Sequence, residues 1–431
     1  MANRFSMLLC LSAAAIAVGC TPPAEFRVNR VEEKKRELQA LGEDGSFTPA
    51  QKTDIGTFLT AVFGTPDQPR LPAMIEELSP ETPILRRPML AAAAGPVASD
   101  RDGKARGLYR EHCVHCHGIT GDGAGPTASF LNPYPRDFRL GKFKYKSTPL
   151  GVAPTHDDLY RVLAEGVPGT AMPSFKRLPA DELEALVDYV RYLTLRGAVE
   201  RELYMILTED PDPGIDLIAS AAQAAAAEEA VAAAEEAGEE PPFPPIFTAA
   251  SALEEIVVPS AERWLEAEDS VVEPPAFPEG LKPGSAERES LLARGRELYF
   301  GLGACVSCHG PLALGDGQVN DFDDWTKNWM NELGIAPDDE RKIAEFVALG
   351  ALPPRNIIPR NLRLGGFRGG RRPVDLFLRI RNGIEGTPMP AAAAELTDDD
   401  LWCLVEYVRQ LPLESISTSI HAEELNERPP R

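Results

Sequence analysis

The sequence CVHCH at residues 113–117 returns as CVSCH at residues 305–309, and the surrounding sequence repeats with it. Four of the seven cysteines lie in these two pentapeptides, whereas Cys10 and Cys20 lie near the N-terminus and Cys403 stands alone. A disulfide framework in a small exported protein spreads its cysteines along the chain. Here they form two CxxC units, each followed directly by a histidine, so a disulfide scaffold is not expected.

The repeat extends well beyond the pentapeptides. PRDFRLG at residues 135–141 matches PRNLRLG at 359–365, and GTAMP at 169–173 matches GTPMP at 386–390. Each copy closes on an amphipathic helical pattern, LPADELEALVDYVRYL from Leu178 and LTDDDLWCLVEYVRQL from Leu396. Their apolar residues recur at three- and four-residue spacing, and no region shows sustained alternation with a period of two. The sequence therefore predicts a mainly α protein that contains a duplicated helical domain.

CxxCH is a motif for covalent haem attachment. Two thiols three positions apart on one helical turn can add to the two vinyl groups of a haem, and the next histidine can then ligate the iron. Thioredoxin-like chemistry would want a βαβ setting, and a zinc site would need more Cys or His ligands nearby. We therefore predict two haem c groups per chain. The predicted residues are two cysteines and one histidine in each copy: Cys113, Cys116 and His117, and Cys305, Cys308 and His309.

Each copy resembles a class I cytochrome c domain in its order of helix, CxxCH, proline-containing loop, methionine and C-terminal helix. The likeness covers about residues 102–195 and 290–413, roughly half of the chain. In that family a downstream methionine is the second axial ligand, and Met172 and Met389 stand at the matched positions. A thioether stabilises ferrous iron, so the resemblance implies two six-coordinate haems of raised potential. In the first copy, His156 is the alternative sixth ligand.

The resemblance also implies contacts inside each domain. A proline carbonyl in the loop after CxxCH should accept a hydrogen bond from the ligand histidine. Pro135 and Pro359 are the aligned candidates, with Pro126 as a rival in the first copy. An aromatic residue of the first helix should pack against the last helix. Two pairs of tyrosines fit this contact: Tyr109 with Tyr189, and Tyr299 with Tyr407.

The N-terminus has the features of an export signal. Arg4 precedes a short apolar run at residues 7–18, which is shorter than the ~20 residues of a membrane span. The run ends in AVGC at residues 17–20, similar to a bacterial lipoprotein cleavage box, which predicts a lipid on Cys20. Ordinary cleavage with Cys20 incidental is the alternative. We expect the protein on the periplasmic side of a bacterial membrane, anchored by this lipid.

The formal net charge of −22 is unevenly spread. Residues 200–289 hold 22 acidic and 4 basic residues, a net of −18, together with an Ala/Glu-rich stretch at 215–237 and many prolines. This composition predicts a long acidic linker, and it makes nucleic-acid binding an unlikely use of the chain. Two basic strips at residues 136–146 and 355–372 are either solvated surface charge or contacts for haem propionates or an acidic partner.

The predicted organisation has six segments. They are a signal peptide (1–19), an N-terminal helical or irregular region (20–100), a first cytochrome c domain (101–197), the acidic linker (198–289), a second domain (290–414) with an insertion near 318–354, and a tail (415–431).

The predicted function is electron transfer by two His/Met-ligated haems. We expect a place in a respiratory chain between a quinol-oxidising complex and a terminal acceptor, with redox proteins or respiratory-complex subunits as partners. Because both irons would be six-coordinate, neither catalytic residues nor enzyme activity are predicted. A di-haem peroxidase-like enzyme and a haem-based gas-binding module are the alternatives, and each would need an iron with a vacant or displaceable ligand.

Overall fold

A computed structural model of the 431-residue chain describes residues 23–97, 107–212, 217–219, 221–238 and 246–415. The predicted signal peptide and lipidated Cys20 lie outside the described residues. The fold is mainly α, as predicted. In the described ranges the strands are limited to β1 (Ile218–Ala219) and β2 (Phe247–Thr248), which pair in parallel. None of the described helices is long and apolar enough to span a membrane.

The described residues before the first haem motif, 23–97, include four helices. They are α1 (Arg30–Leu41), α2 (Pro49–Phe63), α3 (Ala73–Glu77) and α4 (Arg87–Ala93). α2 begins at a capping box, in which the Thr48 hydroxyl accepts from the backbone of Gln51 and the Gln51 side chain accepts from the backbone of Thr48. Arg86, just before α4, donates from Nε to the buried carboxylate of Asp188 at 2.9 Å. The N-terminal region thus packs against the last helix of the first domain.

From residue 107 onward, the described part of the first domain contains four helices and two short 3₁₀ turns. The helices are α5 (Leu108–His112), α6 (Val114–His117), α7 (His156–Glu165) and α8 (Ala180–Glu209), and the turns are Ala128–Phe130 and Phe138–Leu140. α8 has 30 residues and continues beyond the predicted domain end at residue 197. Its second half is buried at Val199, Leu203 and Leu207, because α1 and α2 cover it.

Part of the predicted linker packs on the first domain. Its helices are α9 (Ala221–Ala237), α10 (Ala249–Ala252) and α11 (Val258–Asp269), with a π-helical turn at Leu253–Val257. The Trp264 ring of α11 lies 6.3 Å from that of Phe143, and the N–H of Val272 donates to the carbonyl of Ser147 at 3.0 Å. Residues 246–272 are therefore a covering layer of this domain, whereas α9 is largely exposed.

The second domain repeats the first with an insertion. Its helices are α12 (Ala286–Phe300), α13 (Cys305–His309), α14 (Asp324–Leu333), α15 (Glu340–Ala348), α16 (Pro373–Asn382) and α17 (Asp398–Gln410), with 3₁₀ turns at Leu362–Leu364 and Leu411–Leu413. α14 and α15 form the insertion, whose apolar core of Trp329, Met330 and Phe346 packs against residues of α1. Lys35 of α1 also pairs with Glu332 of α14 at 2.8 Å. The insertion therefore joins the second domain to the N-terminal region.

Candidate haem sites

A cavity of about 380 Å³ lies beside the first CxxCH motif. Its walls include the four predicted haem-binding side chains of this copy: Cys113, Cys116, His117 and Met172. Much of the remaining wall is apolar, with Phe138, Leu159, Leu163 and Val190 among its residues. Thiols, an imidazole and a thioether around an apolar space fit a haem, whose flat ring is apolar and whose iron takes axial nitrogen and sulfur ligands.

The histidines of both motifs are held by a backbone carbonyl. His117 Nδ1 lies 2.9 Å from the carbonyl oxygen of Arg136, and His309 Nδ1 lies 3.0 Å from that of Arg360. Since a carbonyl can only accept, this bond puts the proton on Nδ1 and gives Nε2 the lone pair that a metal needs. Burial lowers the pKa of His117 to about 4 and lowers the pKa of His309 as well. Both rings are neutral at pH 7, the form that binds metal.

The expectation that Pro135 and Pro359 supply these carbonyls is wrong by one residue. Their own carbonyl oxygens pack against glycines, so that a Cβ added to Gly123 would lie 2.7 Å from that of Pro135. A Cβ added to Gly315 would lie 2.1 Å from the carbonyl oxygen of Pro359. The proline carbonyls therefore face these glycines and not the histidines. In both copies the carbonyl of the next residue accepts the hydrogen bond from the histidine.

The cysteines of the CxxC pairs are not joined in disulfide bonds. Burial raises the pKa of Cys113 to about 12 and that of Cys305 to about 11. Dithiol oxidoreductases do the opposite, because they lower the pKa of the attacking cysteine. The raised pKa values of Cys113 and Cys305 therefore do not fit thiol–disulfide exchange.

Met172 and Met389 lie in turns that have the same hydrogen bonds. The N–H of each methionine donates to the hydroxyl of a threonine two residues earlier, at 3.1 Å for Thr170 and 3.2 Å for Thr387. Its carbonyl accepts the N–H of the residue five positions earlier, at 3.1 Å in both copies. Each turn follows a helix, α7 or α16, so the two methionines are presented in the same way.

His156, the alternative ligand in the first copy, and Met330, a further methionine of the second copy, are engaged elsewhere. His156 Nε2 lies 2.8 Å from Glu184 Oε2, and His156 is absent from the walls of the cavity. Met330 is 1% exposed and packs in the core of the insertion with Trp329 and Phe346. Within the described residues, neither side chain competes with Met172 or Met389.

The tyrosine contacts predicted between the first and last helix of each domain are confirmed. The ring centroids are 4.9 Å apart for Tyr109 and Tyr189, and 5.4 Å apart for Tyr299 and Tyr407. In addition, the hydroxyls of Tyr109 and Tyr299 donate to the carbonyl of the glycine after CxxCH, at 2.9 and 2.8 Å. Each first helix is thereby tied both to the last helix and to the haem motif.

Sequence reasoning missed the interface between the two copies. Arg161 Nη1 donates to Asp375 Oδ1 at 2.8 Å, and Asn382 Nδ2 donates to the carbonyl of Thr148 at 3.3 Å. The guanidinium of Arg355 lies 3.8 Å from the centre of the Tyr134 ring. Both basic strips, at residues 136–146 and 355–372, contribute to this interface.

Residues 100–190 and 290–408 match the family model of cytochrome c oxidase, cbb3-type, subunit III. The two matches coincide with the two copies and cover just under half of the chain. No curated protein matches the sequence significantly. A chain of the Kuenenia stuttgartiensis reducing HAO-like protein complex Kustc0457/Kustc0458 is similar at 24% identity and a TM-score of 0.41, over 73% of this chain and 98% of that chain.

The family match and the thiol-, imidazole- and thioether-lined cavity define the class of protein. The chain is a c-type cytochrome, with cytochrome c domains of a kind that bind haem c covalently and transfer electrons through it. A cytochrome of this class indicates a location outside the cytoplasm.

Proposed function

We propose that the protein carries two haem c groups, one in each copy, and passes single electrons between redox partners at the periplasmic face of a bacterial membrane. One observation carries this proposal: both copies hold their histidine and methionine with the same hydrogen bonds at nearly the same distances. The proposed residues are two thioether cysteines and two iron ligands in each copy: Cys113, Cys116, His117 and Met172, and Cys305, Cys308, His309 and Met389.

A bound haem c supplies reversible one-electron chemistry, and a methionine ligand favours its ferrous form. The chain supplies the fixed surroundings. The carbonyls of Arg136 and Arg360 orient the histidines, the threonine hydroxyls hold the methionine turns, and the first cavity offers largely apolar walls to the ring. A site with both axial positions filled offers no place for a substrate, which supports an electron carrier over a peroxidase or a gas-binding module.

The proposed attachment and partners rest on the sequence and the family match. A lipid on Cys20 would hold the protein at the membrane surface, where a quinol-oxidising complex and a terminal acceptor are in reach. The resemblance to an oxidase subunit supports membership of a larger respiratory assembly. Purification from native membranes tests both points. We expect co-purifying respiratory subunits from wild type and release of the Cys20→Ala variant from the membrane, whereas a lone protein without partners would contradict the placement.

The di-haem carrier is tested by absorption spectra of the protein matured with its own leader, together with the haem-to-protein ratio. We expect two haems per chain and the weak long-wavelength band of methionine-bound ferric haem. Met172→Leu and Met389→Leu keep the side-chain volume but cannot ligate, so each should remove about half of that band. Met330→Leu is the matched control and should leave the band intact. One haem per chain, or a high-spin wild type that binds carbon monoxide, would favour an enzyme or sensor.

A further inference from the structure

The two arginines whose carbonyls orient the histidines extend their side chains into the opposite copy. A Cβ added to Gly386 would lie 3.1 Å from Nη1 of Arg136, and one added to Gly169 would lie 3.2 Å from Nη2 of Arg360. Each of these glycines stands three residues before a proposed methionine ligand. The contacts are reciprocal, so the two copies face each other through their histidine and methionine loops.

Further cations gather at the same place. Arg368 Nη2 donates to the carbonyl of Gly169 at 3.5 Å, so it also crosses from the second copy to the first. Tyr145 crosses in the other direction, since its ring packs so closely on Gly369 that an added Cβ would lie 2.4 Å from Cδ1. The interface cations, as we call them, are five side chains near this tyrosine: Arg136, Lys144, Arg360, Arg368 and Arg379.

These cations carry more positive charge than the neighbouring carboxylates balance. Asp323 lies 3.7 Å from Lys144 Nζ, whereas the other nearby carboxylates pair with cations outside the group: Glu385 with Lys146, Asp137 with Arg139, and Asp375 with Arg161. The buried Nε atoms of Arg360 and Arg368 have no hydrogen-bond partner among the described residues. Burial of cations is costly, and carbonyl oxygens accept from Arg360, Arg368 and Arg379 without neutralising them, so a cluster of this kind favours an anionic ligand.

We propose that the interface cations bind the propionate carboxylates of the haems as one shared site, in which each copy supplies an arginine to the haem of the other. This proposal rests on the proposed di-haem function. Arg136, Lys144 and Tyr145 are walls of the first cavity, so two of the five cations border the space that a haem would fill, and Arg360 reaches the loop of Met172 beside it. Propionates are the ionised groups of haem, and guanidinium binds carboxylate with paired, charge-assisted hydrogen bonds.

A shared site couples the two haems. A charge change at one iron alters the electric field at the other, and the interface offers a path for electrons within one chain. The path from the first copy runs from the His117 ring through the carbonyl of Arg136 and its side chain to the loop of Met389. The ion pair between Arg161 of the first copy and Asp375 of the second, at 2.8 Å, holds the two copies together beside this path.

The test distinguishes one propionate site built by both copies from two separate sites, each built by a single copy. In a chain with Cys305→Ala and Cys308→Ala, only the first copy can attach haem, and Arg360 then belongs to the haem-free copy. Arg360→Gln in this background should lower the reduction equilibrium constant of the remaining haem about tenfold, or ~59 mV for one electron, because a nearby positive charge favours ferrous iron. Arg341→Gln, whose side chain is 73% exposed in the insertion, is the control and should leave the potential unchanged.

The mirror experiment uses Arg136→Gln with Cys113→Ala and Cys116→Ala, and should lower the potential of the second haem. Unshifted potentials in both arms would overturn the shared site. If either cysteine double variant folds poorly, Arg360→Gln is tested in the full chain instead. The reduction potentials of both haems should then shift, and a shift of only one potential overturns the proposal. The haem-to-protein ratio of the full chain is recorded first, so that a single haem is recognised as a failure of the di-haem function itself.

Discussion

Asp158 and Asp375 hold equivalent positions in the two copies, and both accept hydrogen bonds from the same guanidinium, that of Arg161. The distances are 3.1 Å from Nη2 to Asp158 Oδ1 and 2.8 Å from Nη1 to Asp375 Oδ1. The Asp375 side chain is 1% exposed although it is charged. Both aspartates lie in the first turn of the helix that leads to a methionine loop. One arginine therefore ties the supports of both proposed haem sites together.

Replacing this arginine should weaken the interface. Arg161→Gln leaves the buried Asp375 with Arg372 alone, and loss of a hydrogen bond to a buried charge costs about 1.5–3 kcal/mol. We expect the free energy of unfolding, measured by chemical denaturation of the haem-loaded protein, to fall by that amount. Arg341→Gln removes an exposed pair with Glu345 and should change it by less than ~0.5 kcal/mol. Equal effects of the two substitutions would contradict a stabilising role for Arg161.

The same aspartate predicts a pH dependence. Burial alone would raise the pKa of Asp375, but the hydrogen bond from Arg372 and the charges of Arg372 and Arg161 outweigh it, and the pKa is lowered. A lowered folded-state pKa contributes stability above the unfolded value of about 3.9, and this contribution is lost as pH falls through the folded value. The stability difference between wild type and Asp375→Asn should be full at pH 7 and shrink below about pH 4. A constant difference down to pH 2 would show that the carboxylate charge is irrelevant.

A glycine permits the helix crossing in the second domain. A Cβ added to Gly295 of α12 would lie 2.1 Å from the carbonyl oxygen of Cys403 and 2.7 Å from Tyr407 Cβ, both in α17. Gly295→Ala must push the helices apart, so we expect a loss of about 1–3 kcal/mol in unfolding free energy and poorer haem content in this domain. Gly56→Ala in α2 meets no atom within 4 Å and should stabilise by about 0.5–1 kcal/mol. Similar losses for both would refute the crossing as the cause.

The parts of the structure that the sequence predicted are local and repeated. The tyrosine pairs are expected from the resemblance to class I cytochrome c domains, and the matched GTAMP and GTPMP sequences place Met172 and Met389 in turns with the same hydrogen bonds. The acceptor for His117 was placed one residue too early, because a family pattern fixes the loop but not which carbonyl turns toward the ring. That choice depends on how closely the Pro135 carbonyl packs on Gly123, which is a contact in space.

The parts that sequence reasoning missed depend on distant segments. The composition of residues 200–289 predicts a long acidic linker, yet Val257, Ala261 and Trp264 recur at helical spacing and are buried. The helical spacing of these three apolar residues indicates a buried helix face. The acidic residues around them hide this pattern in the overall composition. The interface between the copies has no such signal, because Arg136 and Arg360 look like surface charge until the opposite loop is placed beside them.

The insertion of the second domain gives the last prediction. The rings of Trp329 and Phe346 stack at 4.3 Å between α14 and α15, and this core rests on α1. Phe346→Ala removes a fully buried ring, a change that typically lowers the free energy of unfolding by about 3–5 kcal/mol. The backbone amides of both the insertion and α1 should therefore become less protected from hydrogen exchange. Hydrogen exchange measured on peptides of residues 30–41 and 324–348 checks this. Val347→Ala, at a neighbouring position that is 36% exposed, is the control. If exchange rose in the insertion alone, α1 would be stable without it, and the insertion would not hold the second domain to the N-terminal region.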